Sequence, residues 1–187
     1  MSINQLTHKI LNELTHNSQY IQDEQFNRLI TRIKQAKHIF LAGAGRSGIA
    51  IKGFANRLLH LGFSVSLIGD ITNPHTKAGD LLIIASGSGE TGSLVSLAQK
   101  AKKSGVNIAL ITMDETSTIG KLADCVAVLP GVSPKLKNQG IDLTSIQPMG
   151  SAFEQLSFIA YDAIVLALME QLKETSDSMF ARHADLE

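Results

Sequence analysis

Ile3, Leu6, Ile10 and Leu14 recur at intervals of three and four, and Phe26, Leu29, Ile30 and Ile33 repeat that spacing. Such a period lines apolar side chains along one stripe of a helix, so the first 37 residues predict two amphipathic helices. Asp23 stands where the second would take its N-cap. From there the period changes. Residues 38–42 (HIFLA), 64–68 (SVSLI), 81–86 (LLIIAS), 108–112 (IALIT) and 126–129 (VAVL) are short apolar runs bounded by Gly, Asp or Pro. Runs of that kind predict strands buried on both faces. Helix-length segments lie between them at 47–61, 91–104 and 119–123. Strands alternating with helices imply βαβ units, and the expected fold is a three-layer α/β/α, doubly wound, five-stranded parallel sheet of the flavodoxin-like kind. An irregular stretch at 130–148 then reads as a functional loop. A helix over 149–172, apolar on nearly every side, is expected to be buried between layers or between subunits. A short polar tail helix is expected over 176–187. The organisation predicted is one domain: helices over 1–37, an α/β core over 38–172 and a tail over 173–187.

Composition narrows the class. With 44% hydrophobic and 18% charged residues the chain is not of the disordered type, and a single cysteine excludes a disulfide scaffold. Seventeen Lys and Arg balance seventeen Asp and Glu, which gives no electrostatic footprint for nucleic acid or an acidic membrane. Aromatics make up 5% and Trp is absent, which disfavours stacking platforms for single strands. No uninterrupted apolar run reaches the roughly 20 residues of a membrane-spanning helix. Residues 1–16 lack the apolar core of a signal peptide, so the expected address is the cytoplasm.

Chemistry concentrates in two turns. Residues 43–48 (GAGRSG) follow the first strand and open a helix, and residues 86–92 (SGSGETG) do the same after the third. In an open parallel sheet, ligands bind beyond the carboxyl ends of the strands, where helix N-termini point. Gly45, Gly87 and Gly89 let the backbone bring several N–H groups to one place. Ser47, Ser86, Ser88 and Thr91 add neutral donors, Arg46 adds a cation, and the helix dipoles favour an anion. These residues make a phosphate cradle that needs neither metal nor lysine. The first turn also matches G-x-G-x-x-G, with Asp70 further on, as a dinucleotide fingerprint would. Arg46 and Ser47 inside the fingerprint, and the hydroxyl-rich second turn, weigh against a dinucleotide.

The two loops, AGAGRSG and SGSGETGS, resemble those of the sugar isomerase (SIS) domain family, whose members bind phosphosugars. NRLLHLGF at 56–63, QPMGSAFEQ at 147–155 and the terminal ARHADLE narrow the resemblance to the family's hexulose-phosphate isomerase branch, along essentially the whole chain. That resemblance implies movement of a carbonyl from C3 to C2 of a phosphorylated ketohexose through a cis-enediol, without redox cofactor or metal. It also implies a homotetramer and a functional pairing with 3-hexulose-6-phosphate synthase in the ribulose monophosphate route of formaldehyde fixation. A phosphosugar-sensing module and an isomerase of another sugar phosphate are the alternatives.

Such a reaction needs a base beside the carbonyl carbon. Glu154 matches the family's catalytic glutamate, while Ser151 and Glu154 also fit the S-x-x-E capping pattern, so the local sequence leaves base and cap both open. Glu90 would repel a phosphate at its helix start; counted with the binding loop, it is expected to point away and orient it. Arg46 is either an anion partner or a surface arginine paired with a carboxylate, and Ser47 either a cap or a ligand. The resemblance implies that His183 reaches an active site of the assembled oligomer and moves protons there; a solvated tail histidine is the alternative. His60 reads as an interior or interface residue, His75 as a candidate for the pocket mouth, and Cys125 as a small buried hydrophobe. The histidines and Cys125 lack metal-ligand spacing, so no metal is expected.

Overall fold

Each apolar run forms a strand. In the computed structural model, which describes residues 1–134, 136 and 144–186, the strands are β1 (Ile39–Gly43), β2 (Val65–Leu67), β3 (Leu81–Ala85), β4 (Asn107–Thr112) and β5 (Cys125–Val128). All pair in parallel, in the order β2-β1-β3-β4-β5. The helices are α1 (Ile3–Ser18), α2 (Asp23–Gln35), α3 (Gly45–His60), α4 (Gly92–Lys103), α5 (Thr118–Leu122), α6 (Ser151–Leu172) and α7 (Ser176–Phe180).

Alternation along the strands sorts the core into two halves. Ile39, Leu41, Leu81, Ile83, Ala109 and Ile111 face α1, α2, α3 and α6, whereas Phe40, Leu82, Ile84, Ile108 and Leu110 face α4 and α5. The chain leaves β1 toward one edge and β3 toward the other, so the topological switch point lies between them. Gly43 pairs with Ala85 across that gap, which sets the two glycine turns side by side at the carboxyl end of the sheet.

Several local expectations are corrected. Gln22, not Asp23, is the N-cap of α2; Asp23 is the first helical residue, and its carboxylate faces the helix dipole instead of accepting a cap bond. β2 is a half-buried edge and not a strand covered on both faces, because the connection to β3 forms no helix to cover it. Asn73 Nδ2 closes part of that edge by donating to the Leu67 carbonyl (2.7 Å). α6 begins at Ser151, two residues later than expected. The tail helix ends at Phe180, beyond which Arg182 N and His183 N donate to Met179 and Phe180 carbonyls in tighter turns. By length and composition α6 does pass for a spanning helix, although Glu154, Asp162 and Glu170 break its apolar run. Half of its apolar window is buried inside the protein. Of the expected loop at 130–148, Lys135 and residues 137–143 lie outside the described residues, as does Glu187 of the tail.

Candidate active site

The two turns are built to stay fixed. A Cβ on Gly48 would stand 2.8 Å from the Gly43 carbonyl oxygen, so only glycine lets α3 press this closely on the end of β1. In the second turn Gly89 has φ +62°, and a Cβ there would sit 2.0 Å from Ser117 Oγ. The carbonyls of this turn point inward. Gly87 O accepts from Met113 N (2.9 Å) and Thr112 Oγ1 (3.1 Å), and Gly89 O accepts from Ile119 N (3.2 Å). Ser86 Oγ and Ser88 Oγ accept from Gly89 N (3.1 Å) and Glu90 N (3.3 Å), holding the turn while keeping their own protons to donate. Glu90 is turned away: its carboxylate accepts from Thr118 N at 2.6 Å at the start of α5. The buried Thr112 and Ser117, which hold this turn from behind, were not singled out in the sequence; the S-x-x-G spacing of Ser117, whose Oγ caps Gly120 N, is the local signal that marks it.

The helices that open from these turns differ from others in the molecule. Hydroxyls cap α1, α5 and α7, whereas α3 and α4 have neither a side-chain cap bond nor an acidic residue in their first turn. Their first-turn N–H groups therefore have no intrahelical acceptor and no carboxylate from their own first turn. Ser47 is buried in the first turn of α3, and Thr91 is the uncapping N-cap of α4.

The start of α6 closes over this frame. The Phe153 ring lies against Gly87, where a Cβ would come within 3.2 Å of Phe153 Cδ1. One residue on, Glu154 Oε2 meets Arg46 Nε at 2.9 Å. Gly150 is the N-cap of α6 and no side chain caps it, so Glu154 is not the reciprocal partner of a capping box. The Arg46 side chain is 57% exposed and that of Glu154 21%, placing the pair at the rim of a groove of about 360 Å³ formed with Ile49, Ala50, Gln155, Phe158 and Ile159. The structure thus gathers Gly45, Arg46, Ser47, the 86–91 turn and Glu154 at one end of the molecule.

His183 is elsewhere. α3 and α6 run parallel: Arg46 meets Glu154 at their starts, Gly53 faces Phe158 midway, and Arg57 and His60 border a cleft with Asp162 and Met169 further along. From Arg46 to His60 that is about 21 Å of helix at 1.5 Å per residue. The His183 ring stacks on His60 (5.2 Å) and Phe180 (5.8 Å) at this far end, beside a cleft of about 360 Å³. Its Nδ1 lies 3.0 Å from the Ala184 carbonyl, a contact in which Nδ1 donates. Within one chain, then, the two catalytic candidates stand apart. His60 is buried with Nδ1 3.4 Å from Arg57 Nη1, and the exposed His75, bonded to Thr76 O, does not line the Glu154 groove. Cys125 is buried, and burial pushes its thiol pKa up. Among the described residues no three His, Cys, Asp or Glu side chains group as a metal site requires.

A parallel sheet with two glycine turns at its switch point, the second of them rich in hydroxyls, and a carboxylate above them defines an anion-binding α/β domain. The model of the SIS domain matches residues 32–160, and the chain belongs to that family. It is 47% identical over 179 residues to the 3-hexulose-6-phosphate isomerase of Bacillus subtilis (strain 168), covering 96% of each chain. With the enzyme of the same name from Mycobacterium gastri it shares 37% over 178 residues, 95% of this chain and 88% of the other. A Methanococcus jannaschii crystal structure, for which a function of 3-hexulose-6-phosphate isomerase is inferred, superposes with a TM-score of 0.77 at 33% identity, covering 95% and 93% of the two chains.

Proposed function

We propose that this chain is a phosphosugar isomerase that interconverts D-arabino-hex-3-ulose 6-phosphate and D-fructose 6-phosphate. Near-full-length similarity to isomerases of that name supports the substrate class. The observation that carries the mechanism is the Arg46–Glu154 pair standing over the joined glycine turns. The phosphoryl end takes the amides and hydroxyls of the 86–91 turn, with Gly45 and Ser47 beside them. Glu154 removes the proton from C2 of the 3-ulose, and the C3 carbonyl becomes half of a cis-enediol. Returning the proton to C3 leaves the carbonyl at C2. Arg46 leaves the carboxylate for the developing enediolate oxygen, where its charge is worth most. The hydroxyl proton leaves O2 and a proton arrives at O3, a transfer suited to an imidazole. No net oxidation occurs, so the chemistry calls for no redox cofactor.

His183 serves this transfer from a second copy of the chain. Ile49, Phe158, Ile159, Leu166 and Phe180 are large apolar side chains left exposed, most of them along the α3–α6 face between the two half-sites. A twofold axis across that face exchanges its ends and sets one copy's His183 over the other's Glu154. Covering the apolar face drives the pairing, with a homotetramer as the full assembly. The whole chain acts as one SIS domain, in the cytoplasm, downstream of 3-hexulose-6-phosphate synthase in the ribulose monophosphate route of formaldehyde fixation. The test is a coupled assay containing ribulose 5-phosphate, formaldehyde and that synthase. Fructose 6-phosphate formed above the synthase-only control supports the assignment, and its absence refutes it.

A further inference from the structure

The segment after α6 is pinned in a way the isomerase chemistry does not by itself require. Lys173 takes a left-handed backbone (φ 58°) and turns the chain, so that Glu174 faces back along the tail. Both oxygens of its carboxylate accept from the Arg182 guanidinium: Nη1 to Oε2 at 3.0 Å and Nη2 to Oε1 at 2.9 Å. Ser178 Oγ also donates to Oε2. Arg182 Nη1 donates again, to the His60 carbonyl at 2.8 Å, at the C-terminal end of α3, where a cation is favoured by the helix dipole. One carboxylate therefore holds Ser178 within α7 and Arg182 just beyond it, and one guanidinium joins the tail to the end of α3. His183 follows Arg182 directly, and its ring rests on the ring of His60, the residue whose carbonyl Arg182 holds.

We propose that Glu174 and Arg182 form a clamp that fixes the pose of His183, making both of them positioning residues for proton transfer in the partner copy's active site. The inference rests on the assignment of His183 given above. A short tail left loose would have to be ordered each time the histidine was needed; a planar, bidentate pair orders it beforehand. Contacts beside the Arg182 fork also hold α7: Met179 buries its side chain, and Thr175 and Ser178 form a capping box at its start. The clamp also persists through the neutral range. Hydrogen bonds from Arg182 and Ser178 hold the Glu174 carboxyl below its ordinary pKa, and the bond to Glu174 raises that of Arg182.

The test is a double-mutant cycle read in kcat and KM on the assembled enzyme, using Arg182→Ala, His183→Ala and the double variant. Arg182→Ala is expected to lower kcat about tenfold while KM moves less than about twofold, because binding groups are untouched. Arg182→Lys, which keeps charge but loses the fork, is expected to recover little of it. In the His183→Ala background, removing Arg182 is expected to cost nothing further, since the clamp acts only through that ring. A full, additive loss in the double variant, or an assembly that falls apart by light scattering in Arg182→Ala, overturns the clamp and assigns Arg182 to folding or assembly. Full activity in His183→Ala alone overturns the assignment of His183, and the clamp with it. An inactive His183→Ala beside a fully active Arg182→Ala refutes the clamp alone.

Discussion

Replacing Glu154 by Gln removes a base and a charge while preserving nearly everything else at the site. The amide oxygen can still accept from Arg46 Nε, where the carboxylate accepts at 2.9 Å, and the groove keeps its volume. A positioned general base is worth about 10²–10⁴-fold in rate, or about 2.7–5.4 kcal/mol of barrier at 1.36 kcal/mol per decade. The cost to folding is much smaller. An ion pair with one partner 57% exposed is screened by solvent, and such pairs contribute at most about 1 kcal/mol. The variant is therefore expected to fold, assemble and retain KM within about threefold while kcat falls at least about a hundredfold. Steady-state kinetics by the coupled assay separates these quantities. Incubation of fructose 6-phosphate in D2O gives an independent reading, because the same base exchanges the C3 proton. A kcat within threefold of the parent, or undiminished C3 exchange, would remove Glu154 from the mechanism.

Mixing two inactive variants probes the composite site: Glu154→Gln and His183→Ala subunits, unfolded and refolded together, are expected to recover about one quarter of parental activity, the statistical share for random twofold pairing. No recovery would mean that both residues act within one chain. Gly89→Ala puts a Cβ 2.0 Å from Ser117 Oγ at φ +62°; it is expected to destabilise the fold by about 1–3 kcal/mol and to raise KM, as seen by denaturant titration and kinetics. Asp124 is the pH test of the scaffold. Burial opposes its ionisation, but hydrogen bonds from Lys102 Nζ (2.7 Å) and Ile108 N (2.9 Å) outweigh that and hold its pKa below 3.8. A carboxyl with a depressed folded pKa adds stability above its unfolded pKa and loses it as pH falls through the folded value. Asp124→Asn is therefore expected to cost about 1 kcal/mol at pH 7 and to become neutral in strong acid, below the folded pKa; an equal cost at both pH values would refute this.

Much of the scaffold was legible because it rests on local rules. The run at 81–86 is apolar on both faces and becomes the central β3, and the glycine turns mark where strands end and helices begin. What escaped depends on distant partners. β2 looks like the other strands, but its burial depends on whether a helix covers it, and none does. Asp23 has the right chemistry for a cap, yet the helix starts one residue earlier than a cap at 23 requires. Arg46 and Glu154 are 108 positions apart, so only the parallel packing of α3 on α6 turns two ambiguous residues into one ion pair. His183 borders a separate cleft near the other end of α3, a separation no motif encodes.

A crystal structure of the assembled protein with fructose 6-phosphate bound is the most direct measurement. The account requires the phosphoryl oxygens within hydrogen-bond distance of the amides and hydroxyls of residues 86–91, with a Glu154 oxygen about 3 Å from C2 and C3, as near-attack geometry demands. It also requires a neighbouring copy's His183 at the O2–O3 edge. A phosphate bound away from that turn, or a Glu154 carboxylate out of reach of both carbons, would contradict it.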